Sequence, residues 1–272
     1  MGGNTGAPSQ EIRELVYDYF ASECDIDRNL YWDTEAPDHG AAALEAYRRR
    51  GIEAGEHGLL ELVMATHAGI TVGEDGASHQ CIEDIGLMRI LPNMTVIVPA
   101  DGIETEKALR ALIQHHGPAY MRLSRMDFPV LFDDSYEFAI GKGTVMKAGS
   151  DVTICAAGLM VSQALKAIEQ LEADGISAQL INMSTIKPID RELIVQAAGK
   201  TGAVVTAEEH SIIGGLGSAV AEVLSEHCPT PMRRIGVQDR PGTSGSPAEL
   251  LEHYRLNPSH IISAVQDVLR QK

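Results

Sequence analysis

Aromatic residues are scarce. The chain has one tryptophan and four phenylalanines, and aromatic rings make up 4 % of it. Its cores must therefore be filled by Ala, Val, Ile and Leu, the packing of layered α/β folds. Cysteine is equally thin. Cys24, Cys81, Cys155 and Cys228 lie far apart, with no CxxC or zinc-type spacing. This argues for reduced thiols and a cytoplasmic setting, not a disulfide framework. No stretch approaches the ~20 apolar residues that a membrane helix needs. The Gly, Asn and Ser of the N-terminus lead into an amphipathic stretch with no signal-peptide pattern. Positive charge is in deficit, with 22 Lys and Arg against 38 Asp and Glu for a net charge of −16. That excludes broad binding to nucleic acid or anionic membranes. A few local Arg and His can still hold a small anion.

At 272 residues the length prior is two domains. Ser9 can cap a helix whose apolar face is Ile12, Leu15, Val16, Tyr19 and Phe20. A short strand at 29–32 and a helix at 41–50 follow. From Leu59 the alternation is regular. Strands are expected at 59–65, 94–98 and 118–123, with helices at 79–91 and 102–115 between them. Asp101 with Glu104 makes a capping-box-like start for the helix at 102. An irregular stretch at 126–145, with Pro129 and the acids Asp133 and Asp134, reads as an interdomain connection. The β-α alternation then resumes, with strands at 151–157, 178–183, 202–207 and 233–238. Helices are expected at 160–173, 190–199, 216–226, 248–253 and 258–270. Ser246-Pro247-Ala248-Glu249 combines cap, proline and reciprocal Glu in one strong helix start.

One segment stands out. Thr66 to Gln80 reads THAGITVGEDGASHQ and joins the strand at 59–65 to a helix-like run. Open α/β sheets place ligand sites in such glycine-broken loops at strand ends. His67 and His79 can move protons near neutral pH, and an ionised Asp75 can accept a bond from a hydroxyl. Read alone, His67 fits a structural histidine, His79 a packed helix-start residue, and Glu74-Asp75 a self-bonded turn. Gly214-Gly215-Leu216-Gly217 follows a strand and opens a helix, a weak nucleotide signal that we read as a tight structural turn. His115-His116 reads as a helix C-terminus without metal-ligand geometry.

The loop resembles the THAGI…GEDGxxHQ signature of transketolases, thiamine-diphosphate enzymes that move two-carbon ketol units between sugars. The resemblance continues through IEDIGLMRILPN, MTVIVPAD, YMRLSR, TAEEHSIIGGLGSAVAEVL and RPGTSGSPAELLEHY, densely from Ala65 to the C-terminus. It implies two three-layer α/β/α domains. One is a shortened pyrimidine-binding domain at 1–135, and the other a transketolase C-terminal domain at 136–272. It implies that His67 and His79 contact the donor sugar, Asp75 reads a hydroxyl, and Arg125 grips a phosphate through paired bonds. Arg122 reads as a neighbouring structural or surface charge. In Gly51 to Gly58 the run Glu56-His57-Gly58 resembles the motif of the cofactor-activating glutamate, which makes Glu56 the first choice and Glu53 the second.

Two departures matter. Only Leu59 to Ala65 separates the Glu56 motif from the loop, so the family's intervening segment, which supplies a ring that stacks on the cofactor, is missing. The GDG…N motif that anchors the diphosphate through a metal such as Mg is also absent. The chain thus resembles the C-terminal subunit of a split transketolase. An N-terminal partner would hold the diphosphate and metal in a dimer of heterodimers acting on sugar phosphates. Two other readings are a β subunit of 2-oxo-acid dehydrogenase or deoxyxylulose-phosphate synthase type, and a non-catalytic assembly half. The EDGxxH loop with His67 favours transketolase over the first, and the shortening favours the second.

Overall fold

A computed structural model describes residues 62–272. The expected helix after Ser9, the strand at 29–32, the helix at 41–50, and Glu53 and Glu56 lie outside the described residues. The rest forms two mostly parallel sheets. The first contains β1 (Leu62–Ala65), β2 (Thr95–Ile97) and β3 (Ala119–Arg122), with α1 (Asp84–Arg89) and α2 (Gly102–Ile113) between them. β3 lies in the middle, parallel to both neighbours.

The second half contributes β4 (Thr144–Lys147), β5 (Val152–Ala156), α3 (Leu159–Ala173), β6 (Ala178–Asn182), β7 (Thr185–Lys187), α4 (Arg191–Thr201), β8 (Val204–Ser211), α5 (Leu216–His227), β9 (Met232–Val237), α6 (Pro247–His253) and α7 (Pro258–Leu269). Its sheet order is β4-β6-β5-β8-β9, with only β4 antiparallel. β5 and β6 are buried along their whole lengths, as parallel strands covered on both faces should be. One side is closed by α3 and α7 through Ile168, Leu171, Ile261 and Val265. The other is closed by α4 and α5 through Ile194, Ala198, Val220 and Leu224.

Local signals set the helix starts. Asp101 accepts from Glu104 N–H to cap α2, but the Glu104 carboxylate turns back to Ala100 N–H (2.7 Å), so only half of the expected capping box forms. Ser246 and Glu249 make the full box, with Pro247 in the first turn of α6. Asp190 caps α4, which ends at Gly202 in the left-handed region.

One expectation needs correction, and two strands were not anticipated. The helix expected at 79–91 runs only from Asp84 to Arg89, because His79 and Gln80 turn their N–H groups back to the Gly76 carbonyl. The irregular connection ends in a strand, β4. The segment after β6 forms β7, which leaves its own half and pairs antiparallel with β2. β4 and β7 are too short to show a hydrophobic period, and tertiary pairing creates them.

β7 is part of a larger seam. Ile85, Met88, Met94, Val96 and Tyr120 from the first half share one buried cluster with Cys155, Ile181, Met183, Leu216 and Val220 from the second. The opposite face of the first sheet is closed by Leu109 and Leu112 of α2. Lys187 Nζ donates to the carbonyls of Arg89 (2.8 Å) and Leu91 (2.5 Å), closing the end of α1 from across the seam. The buried Glu104 accepts from Asn182 Nδ2 (2.8 Å) and Tyr136 OH (2.7 Å). Burial raises its carboxyl above the usual range. In contrast, Val63, Met64 and Ala65 of β1 are only half-buried.

Asp101 serves two elements. Its Oδ1 caps α2, and its Oδ2 takes the N–H groups of Leu131 (2.7 Å) and Phe132 (2.9 Å) in the connection. Replacing Asp101→Ala removes a cap worth ~1 kcal/mol and strands two further donors, so it should cost ~2–4 kcal/mol in denaturant unfolding. Limited proteolysis should then cut first between 126 and 143.

Candidate functional site

The loop after β1 leaves the sheet at the C-terminal ends of parallel strands. Ala68 N–H bonds Leu123 O (3.2 Å), and Gly69 N–H bonds Cys81 O (2.8 Å). These bonds lay the loop alongside the end of β3. A 3-10 turn, Ile70–Asp75, follows and is kinked at Gly73. Its first residues are buried, whereas Glu74 and Asp75 are exposed.

The predicted side chains occupy this surface. His67 is exposed, its Nδ1 2.9 Å from Thr66 Oγ1. His79 is exposed, its Nδ1 3.0 Å from Ser78 Oγ. Asp75 and Arg125 meet each other: Arg125 donates to Asp75 Oδ2 at 2.5 Å, and the same nitrogen also reaches Val72 O at 3.1 Å. The two side chains are 44 % and 46 % exposed, so solvent reaches both charges. A carboxylate and a guanidinium thus sit side by side, each neutralising the other. Glu56 lies outside the described residues.

Beneath the surface is a buried network that residue types alone did not point out. Arg122 is 5 % exposed, which removes the surface-charge reading. Its Nε donates to Asp84 Oδ2 (2.8 Å), and one terminal nitrogen donates to Glu209 O (2.9 Å) and Cys81 O (3.3 Å). Tyr120 OH also donates to Asp84 Oδ2 at 2.7 Å. Glu209 Oε1 accepts from both Thr71 N–H and Thr71 Oγ1–H, each at 2.8 Å. Burial raises the Glu209 carboxyl, with Arg122 and Thr71 opposing. Burial likewise pushes the Cys81 thiol up to about 12, so it stays protonated.

The neighbours of Glu209 are used just as fully. Glu208 accepts from Leu216 N–H (2.7 Å) and Gly217 N–H (2.8 Å) at the start of α5. A Cβ on Gly215 would lie 2.0 Å from the Glu208 carboxylate. The glycine turn is therefore structural, and the position an anion would take at this helix end holds the chain's own carboxylate. His210 Nδ1 lies 2.7 Å from Ser211 O, and its Nε2 accepts Gly86 N–H (3.2 Å). Adjacent acids inside the apolar strand VVTAEEH were the available signal.

No group of three His, Cys, Asp or Glu among the described residues could hold a metal. The described rings of Tyr120, Phe128, Phe132 and Phe138 are packed into clusters, Tyr136 stacks on Phe132, and Tyr254 lies under Arg240. What the surface carries is one solvent-reached ion pair and two exposed histidines. No described helix is long and apolar enough to cross a membrane.

The two arginines should separate cleanly in unfolding experiments. Arg125→Ala or Asp75→Asn breaks a half-exposed pair and should cost less than about 1 kcal/mol. Arg122→Ala leaves two buried carboxylates without their cation and should cost ~3–5 kcal/mol.

Comparison with known proteins places this geometry. The transketolase pyrimidine binding domain matches residues 48–130, and the transketolase C-terminal domain matches residues 141–261. The 6-deoxy-6-sulfo-D-fructose transketolase subunit SqwH of Clostridium sp. strain MSTE9 is 43 % identical over 198 residues, 73 % of this chain and 62 % of that protein. A putative transketolase C-terminal section of Methanocaldococcus jannaschii is 46 % identical over 201 residues, 73 % of this chain and 63 % of that protein. The chain thus spans under two thirds of the length of these curated relatives. A solved structure described as a split gene transketolase, inactive beta4 tetramer, is 47 % identical, with a TM-score of 0.71 over 82 % of this chain and 73 % of that one. Pyrimidine-binding and C-terminal domains in one chain, and this depth of similarity, establish that the protein belongs to the transketolase family.

Proposed function

We propose that this chain is the C-terminal subunit of a thiamine-diphosphate-dependent transketolase. In this reading it moves a two-carbon ketol unit from a ketose to an aldose and acts with a diphosphate-binding partner. The observation that carries it is the pairing of Asp75 with Arg125 across two loops, the first of which also carries the exposed His67 and His79. We place the boundary between the two domains at residue 135, inside the irregular connection.

Roles follow from the chemistry of each group. A substrate phosphate offers Arg125 a doubly charged, bidentate partner in place of Asp75. Asp75, released, accepts a bond from a sugar hydroxyl. His67 and His79 bind the donor and exchange protons with its oxygens. Glu56 is the assigned contact to the cofactor's pyrimidine. The cofactor supplies the group that carries the two-carbon unit, and its diphosphate and divalent metal belong to the partner. The names of the relatives, which include an apulose-4-phosphate transketolase subunit of Phocaeicola vulgatus at 38 % identity, support a role for this chain in acting on sugar phosphates or similar anions.

A second reading, a non-catalytic assembly half, is favoured by the short sequence between the Glu56 motif and the site loop, only Leu59 to Ala65. The description of a 47 % identical relative as an inactive beta4 tetramer fits either reading, because a lone subunit would self-associate without activity in both.

The chain should be co-purified with its diphosphate-domain partner and assayed for cofactor uptake and ketol transfer. Activity is expected only from the pair, and Glu56→Gln should lower cofactor uptake. Arg125→Gln should raise the KM of a phosphorylated acceptor roughly 10- to 100-fold, the worth of a charge-assisted hydrogen bond, and leave an unphosphorylated sugar unaffected. A stable pair that takes up no cofactor would establish the assembly reading instead.

A further inference from the structure

The turn that carries the candidate site has no side-chain cap at its N-terminus. The residue that caps the 70–75 turn is Gly69, which has no side chain to satisfy the free N–H groups. That task falls to Glu209 on β8, in the other half of the chain. Glu209 Oε1 takes Thr71 N–H and Thr71 Oγ1–H, both at 2.8 Å across 138 positions of sequence. The fit is tight. A Cβ on Gly69 would lie 2.3 Å from Glu209 Oε1, and Gly69 has φ +95°, a conformation that suits glycine.

Thr71 passes this contact to both sides of the site. With its hydrogen on Glu209, its oxygen accepts from Ser124 Oγ at 3.3 Å, and Ser124 precedes Arg125. The next residue, Val72, accepts from Arg125 through its carbonyl at 3.1 Å, and the same turn ends at Asp75. Two further contacts come from the second half. Gln80 Nε2 joins Gly73 O (3.3 Å) to Thr243 O (2.8 Å), and Ser244 Oγ donates to Glu74 O (3.0 Å).

We propose that Glu209 is a positioning residue of this site, setting Asp75 and Arg125 in place through Thr71. The C-terminal half would thereby clamp the substrate loop. The assignment of the site to sugar phosphates rests on the function proposed above, whereas the clamp itself rests on geometry. The competing role for Glu209 is as a charge partner only, since Arg122 lies 4.0 Å from its Oε2.

Three variants separate the roles. Glu209→Gln keeps the Oε1 acceptor and loses the charge. Glu209→Leu loses both. Thr71→Val removes the hydroxyl and leaves the Arg122 contact intact. In the reconstituted pair, with D-ribose 5-phosphate as acceptor, Thr71→Val and Glu209→Leu should raise KM roughly tenfold, as loss of a buried hydrogen bond does, with kcat nearly unchanged. Glu209→Gln should keep KM close to wild type, its lost charge against Arg122 showing instead as lower stability in unfolding. In the full chain alone, amides of 70–76 should exchange faster in Thr71→Val and Glu209→Leu but not in Glu209→Gln, with those of β5 unchanged. If Glu209→Leu does not fold, Thr71→Val and Glu209→Gln still decide. A raised KM in Glu209→Gln with a silent Thr71→Val overturns the proposal, as does unchanged exchange at 70–76 in Thr71→Val. The expected exchange pattern in a pair without ketol transfer would support the clamp and refute the enzymatic reading.

Discussion

A guanidinium withdrawn from water is the constraint around which the rest of this structure is arranged. Arg122 ends the central strand of the first sheet and is almost fully buried. Such a charge is tolerated only with matched carboxylates and filled donor positions. The chain supplies Asp84 from α1, Glu209 from β8 and two carbonyl oxygens, one from each half. Meeting that demand brings α1, the loop end and β8 together. The exposed half of the site lies on top of this junction. Arg125, three positions along, faces solvent and carries the opposite assignment.

The strand Glu208-Glu209-His210 shows how one short run can organise several elements. Successive side chains on a strand point to opposite faces. Glu208 serves the start of α5, Glu209 serves the 70–75 turn, and His210 receives α1. Each is fully engaged, which explains how three polar residues sit at the end of an apolar strand without breaking it.

Much of this was legible in the chain. The strands expected at 151–157 and 178–183 form at 152–156 and 178–182, and Ser246 with Glu249 announced a helix start. The family could be read from the loop and the motifs after it. What escaped was what depends on distant partners. β7 exists because β2 offers it an edge. The acids of β8 were visible as residues, but Thr71 and Arg122 as their partners were not. Asp75 and Arg125 were each picked out as ligands, yet their pairing spans 50 positions and needs the fold to bring it about. The helix at 79–91 was drawn too long because its polar first turn is spent closing the Gly76 turn.

The exchange of β7 into the first sheet limits how this chain can be divided. A cut in the irregular connection would look harmless, since it falls in loop. It would nevertheless strip β2 of its antiparallel neighbour, remove the Lys187 cap from α1 and open a hydrocarbon cluster built by both sides. Gene fission or recombination at that point would yield two fragments with sticky edges. The two halves are therefore one structural unit that cannot be parted in the connection.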